Sequence, residues 1–244
     1  MKTRIYALII LVSAMIPGMA MGTEKEMMET GQALTQKEQN IIPIAAFTAD
    51  GDLERLAPAL NQGLDKGLSI NEIKEIIVHL YAYTGFPRSL NALNTFMTVV
   101  DERKARGVKD VLGKTASPLP ADFNRDEYGA KVRAMLAGRE TDISGAPWQA
   151  FSPAIDTFLK EHLFADIFVR DVISHQDREL ATIAALANMD GTVGQLGFHL
   201  GAAMNTGLTR TQMQDFVSVF GHRVSKARAR NIEVILTQVL EKRK

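Results

Sequence analysis

The chain has 244 residues, 46% of them hydrophobic and 23% charged, the balance of a globular protein able to bury a real core. Its 28 Lys and Arg are matched by 28 Asp and Glu, so net charge gives no reason to expect nucleic acid or an anionic membrane as a partner. It contains no cysteine, which excludes disulfides and all thiol chemistry.

The first segment stands apart. Lys2 and Arg4 precede a nearly unbroken apolar run over residues 5–16, Pro17-Gly18 breaks any helix, and Gly18-Met19-Ala20 supplies small residues. The run is too short to span a bilayer comfortably, so residues 1–20 are expected to be a cleaved secretory signal, cut after Ala20 or Gly22. The mature chain is then periplasmic or secreted, free of the membrane, and without disulfides it must rely on core packing and oligomerisation.

Thr35-Gln36-Lys37-Glu38 is a capping box opening a first helix through Ile41, Ile42, Ala45, Ala46 and Phe47, which ends at Asp50-Gly51. A second helix carries Leu53, Leu56, Leu60 and Leu64 and ends at Gly67; Ser69-Ile70-Asn71-Glu72 then caps a third through Ile73, Ile76, Ile77 and Leu80. The Gly85-Phe86-Pro87 turn is expected to stop it. Beyond a Pro/Ser-containing linker over residues 114–124, helices are expected over residues 125–137 and 148–168, separated by a Gly145-Ala146-Pro147 turn.

The order of signals then repeats. Ser174-His175-Gln176-Asp177 opens a helix containing Ala184-Ala185-Leu186, Asp190-Gly191 breaks it, and Leu196, Leu200 and Met204 form the next stripe. Gly207 ends that helix and Thr209-Arg210-Thr211-Gln212 caps another. Gly51 to Gly67 and Gly191 to Gly207 are both 16 residues apart, and the cap-to-cap spacings are 34 and 35. No segment alternates like a strand. The expected class is all-α, built from two diverged copies of one helical unit over residues 21–113 and 125–244.

The second copy resembles the carboxymuconolactone decarboxylase family, in Phe164-Ala165-Asp166-Ile167-Phe168-Val169-Arg170, in Asp177-Arg178-Glu179-Leu180-Ala181-Thr182, and in His199-Leu200-Gly201-Ala202-Ala203-Met204-Asn205-Thr206-Gly207. The first copy is similar through His79-Leu80-Tyr81-Ala82-Tyr83-Thr84-Gly85-Phe86-Pro87-Arg88. The resemblance implies the helical fold of the alkylhydroperoxidase D group and a homo-oligomer, a trimer for a two-unit chain. The peroxidase branch of that group uses a Cys-x-x-Cys pair, a His beyond it and a Glu on the preceding helix. Here Thr192 and Gln195 occupy the cysteine positions, so peroxidase chemistry by that route is excluded, whereas His199 fits the His and Glu179 lies close to the Glu.

The decarboxylase branch acts on a lactone carrying carboxylates, without metal or organic cofactor. The implied reading is a cofactor-free acid–base enzyme of lyase type, with His199 and Glu179 as catalytic residues and Arg170, Arg178, Arg88 and Tyr83 as substrate-binding candidates. Export argues against carboxymuconolactone itself, because aromatic-acid breakdown is cytoplasmic. The five histidines show no His-x-x-x-His pattern, so no metal is expected. His162 and His175 read as surface residues, and the roles of His79 and His222 stay open.

Ala59 stands where His199 would be in the first copy, and the second copy lacks the Gly-Phe-Pro turn. A single composite site is therefore expected, with His199 and Glu179 from one copy and the turn region from the other. The alternative is an exported binding or stress-related protein that kept the fold and lost the chemistry.

Overall fold

The computed structural model describes residues 33–243. The expected signal segment and both cut positions lie outside the described residues. Among the described residues there is no strand, and no helix is long and apolar enough to cross a membrane.

Helix α1 (Gln36–Asp50) opens with a reciprocal capping box: Thr35 Oγ1 accepts from Glu38 N at 3.3 Å and Glu38 Oε2 accepts from Thr35 N at 2.7 Å. Gly51, at φ 79°, ends it in the left-handed region that a Cβ disfavours. Helices α2 (Leu53–Asp65) and α3 (Ile70–Ala105) complete the first unit. After α4 (Arg125–Leu136), the short helices α5 (Pro147–Phe151) and α6 (Pro153–Thr157) and the π-helical segment Phe158–Ile167, the second unit follows. It comprises α7 (His175–Ala187), α8 (Val193–Asn205) and α9 (Arg210–Arg223), with α10 (Lys226–Glu241) last. Its boxes at Ser174/Asp177 and Thr209/Gln212 match those at Thr35/Glu38 and Ser69/Glu72.

Helices α1 and α7 are buried over nearly their whole length, as their apolar and small residues demand. They pack most extensively on each other, and α2 and α8 pack beside them. The third helix of each unit crosses to the other copy: α3 packs on α7 as well as on α1, and α9 packs on α1. The described residues 33–243 consequently form one unit with a shared core. Ile42, Ile44, Ile76, Ile77, Leu180 and Ile183 are fully buried there, and truncating any one to Ala costs about 2–5 kcal/mol.

Two expected boundaries differ. Gly85-Phe86-Pro87 does not stop the third helix; Gly85 alone leaves helical geometry (φ 79°, ψ 159°) and the chain resumes as a helix beyond it. Pro87 falls in the first turn of the resumed piece, where its missing N–H costs nothing, so the result is a kink. Residues 148–168 are not one helix either. Ser152 sits at φ −137° before Pro153, which breaks α5 from α6, and the chain then widens into the ten-residue π-helical segment. That segment lies so close to α4 that a Cβ at Gly129 would collide with the Lys160 carbonyl oxygen.

Candidate active site

Glu179 is fully buried on α7 and His199 is 6% exposed on α8. Glu179 Oε2 accepts from His199 Nδ1 at 2.8 Å, which places the proton on that nitrogen and leaves Nε2 as the working edge. Oε1 of Glu179 has no hydrogen-bond partner. The crossing of α3 onto α7 brings first-copy residues to this pair. Tyr83 meets His199 edge to face, ring centroids 5.6 Å apart. Its hydroxyl, beside Thr182, is buried with no hydrogen bond. Burial pushes this phenol far above its ordinary range, and the Glu179 carboxylate pushes it further, so Tyr83 keeps its proton.

Behind Tyr83 lies His79, fully buried, its ring 5.3 Å from the tyrosine. Thr182 Oγ1 donates to the Arg178 carbonyl at 2.9 Å, so it accepts from His79 Nε2 at 2.8 Å. His79 Nδ1 is then an unprotonated nitrogen without a partner. Burial holds this imidazole well below its usual value, and the positive charge of Arg178 acts in the same direction.

Tyr83 and His199 open onto a cavity of about 760 Å³. Gly194, Gln195 and Phe198 of α8 form one wall, and Leu159, Leu163 and Phe164 of the π-helical segment form another. Arg133, Arg139, Ile143, Trp148 and Gln149 close it from α4 to α5. The site is thus roofed by a stretch belonging to neither set of three repeated helices. Only its last part, from Phe164, carries a family-like motif, and the lining residues before it carry none, so they escaped sequence reasoning.

The expected site residues divide. His199, Glu179 and Tyr83 come together, two of them lining the cavity. Arg170, Arg178 and Arg88 do not line it. Arg170 pairs with Glu75 through Nε and Nη2 at 2.9–3.0 Å, and Arg178 Nη2 reaches Glu75 Oε1 at 2.7 Å. This clamp joins α3 to the start of α7. Arg88 donates to the Ala49 carbonyl at the end of α1. Their geometry is that of structural ties; the arginines at the cavity are Arg133 and Arg139.

His162 is exposed, whereas His175, expected at the surface, is half-buried with its ring against Phe168 and Nε2 at 3.2 Å from the Phe168 carbonyl. His222 is exposed and bonds to the Ser218 carbonyl. Among the described residues no three His, Asp or Glu side chains converge as a metal site.

The cysteine positions also separate. Thr192 Oγ1 turns back to the Leu186 carbonyl at 2.7 Å, while Gln195 lines the cavity one turn before His199. A family profile described as the carboxymuconolactone decarboxylase family matches residues 17–96 and 153–225, one stretch per copy and more than half the chain. The chain belongs to this family. No curated protein matches it. As a carboxymuconolactone decarboxylase family member it carries the fold twice and keeps one His–Glu pair, in the second copy, which Tyr83 reaches from the first.

The other copy shows what became of the second site. By register from the caps, Asn40, Ala59 and Arg223 stand where Glu179, His199 and Tyr83 stand. Arg223 donates to Asn40 Oδ1 at 2.9 Å, to the Gln39 carbonyl at 3.1 Å and to Gln62 at 2.6 Å, filling the space with a guanidinium.

Proposed function

We propose that this exported protein is a cofactor-free acid–base enzyme of lyase type, acting on a small carboxylated or lactone-like compound in the cavity beside His199. The observation that carries this reading is the buried Glu179–His199 hydrogen bond beneath a cavity large enough for a small molecule. Glu179 fixes the Nδ1–H tautomer and stabilises the imidazolium, so His199 Nε2 can accept or return a proton at a bound carbon or oxygen atom. In a decarboxylation the electron pair left by departing carbon dioxide would take that proton. Tyr83, held protonated by its surroundings, is placed to donate a hydrogen bond to ligand oxygen where negative charge develops.

The test is a screen of the mature protein against lactones and carboxylic acids, with His199→Gln as control. Loss of about 10²–10⁴ in kcat, with the fold intact, is expected for that variant. Unchanged turnover would overturn the reading, and ligand binding with no turnover by any variant would favour a binding protein that kept only the fold.

A further inference from the structure

We propose that the cavity selects a largely apolar ligand carrying a single carboxylate, held by Arg139 at the rim; the assignment rests on the reading of His199 as the reactive end of the same cavity. The walls decide the body of the ligand. Leu163, Phe164, Trp148 and Phe198 all line the space, and among the described residues no Asp or Glu does.

The two cavity arginines decide its charge. Arg133 is 3% exposed and already committed: its Nε and Nη2 donate to Asp142 at 2.6 Å, and its Nη1 to Asp156 at 2.5 Å. With its donors taken up by two carboxylates, this guanidinium has no open fork to offer an anion. Arg139 differs. It follows Gly138, whose φ of 66° turns the chain out of α4, and it is exposed, with no carboxylate within ion-pair distance among the described residues. One uncommitted fork at the mouth, apolar walls, and a protonated Tyr83 beside His199 at the buried end fit a monoanion with an apolar chain or ring. They fit a dicarboxylate poorly.

Trp148 is the only tryptophan in the chain and lines the cavity, so its fluorescence reports binding directly. The probes are octanoate, octanamide and octanedioate, matched in length and differing in charge. Octanoate should bind saturably, with octanamide and octanedioate about fivefold weaker, the size expected of one partly solvated ion pair. Arg139→Gln should bring octanoate down to octanamide and leave octanamide unchanged. Octanedioate binding as tightly as octanoate, a preference for octanoate over octanamide that survives in Arg139→Gln, or no saturable signal from any probe would overturn the proposal. His199→Gln separates this from the catalytic reading. It should keep octanoate binding; if it also kept full turnover, the acid–base role would fail while the ligand class stood. If turnover needed His199 but only dicarboxylates were consumed, the ligand class would fail alone.

Discussion

Tyr83 and His199 come from different copies of the repeat and meet edge to face, ring centroids 5.6 Å apart, with the tyrosine hydroxyl buried and unpartnered. A hydroxyl taken from water without a hydrogen bond is a cost to the fold, and it persists here beside the one His–Glu pair the chain retains. Stability and activity should therefore respond to it with opposite signs. Tyr83→Phe is expected to raise stability by about 0.5–1 kcal/mol in urea unfolding while lowering kcat about tenfold. A variant both less stable and fully active would contradict this.

Glu179→Gln keeps the volume and offers His199 Nδ1 either an amide oxygen or an NH₂ group, without the charge that steadies the imidazolium. Turnover should fall about 10–100-fold with ligand binding nearly unchanged. The measurement is kcat against the dissociation constant from Trp148 fluorescence.

The Glu75 clamp predicts a large structural effect. Glu75 is 2% exposed and Arg178 fully buried, and Nε and Nη1 of Arg178 already lack partners. Removing the carboxylate in Glu75→Ala strands a buried guanidinium and should cost about 3–5 kcal/mol of unfolding free energy. Arg170→Ala, at a side chain 39% exposed, should cost far less and leave turnover close to wild type.

Acid should loosen the protein before carboxylate protonation becomes general. His79 is held below its ordinary 6.5 by burial, and His175 is lowered by the same cause. In the unfolded chain both take up protons near 6.5, while the folded state resists, so the unfolded state binds more protons as pH falls. Stability contributed by the neutral rings is present above about 6.5 and lost below it, by at most about 1.4 kcal/mol per pH unit for each group. Unfolding free energies at pH 7, 6 and 5 should show that slope, and His79→Phe should flatten it.

Phe86, Leu90 and Met97 are exposed and recur along one face of α3 beyond the kink. An apolar stripe of this kind is expected to be covered by a second copy. Light scattering should give an oligomer, a trimer by the family resemblance, and Leu90→Glu with Met97→Glu should shift it to monomer without altering helix content. A monomeric wild type would count against the stripe as an interface.

Much of this was legible in the residues. Capping boxes, the left-handed glycines and the apolar stripes are local signals that depend on neighbours three or four positions away, so they marked the repeated helices and their starts correctly. The same register paired His199 with Ala59, and showed that only one copy keeps a His. It also aligned Glu75 with Asp215, each six residues past its cap, a signal that could have flagged the clamp. Charge type alone suggested Arg170, Arg178 and Arg88 as ligand anchors, but what an arginine does depends on which carboxylate or carbonyl packing brings to it.

The sequence by itself therefore determined the helical class, the duplication, the absence of sulfur chemistry and the identity of the His–Glu pair, because each is written in residue type and short spacing. Only the tertiary structure decided that α3 crosses onto α7, so that Tyr83 and His79 reach the second copy's pair. It also decided that the stretch around Arg139, Trp148 and Phe164 roofs the cavity. Those contacts join residues far apart in the chain through packing of buried faces, and no local pattern encodes which face meets which.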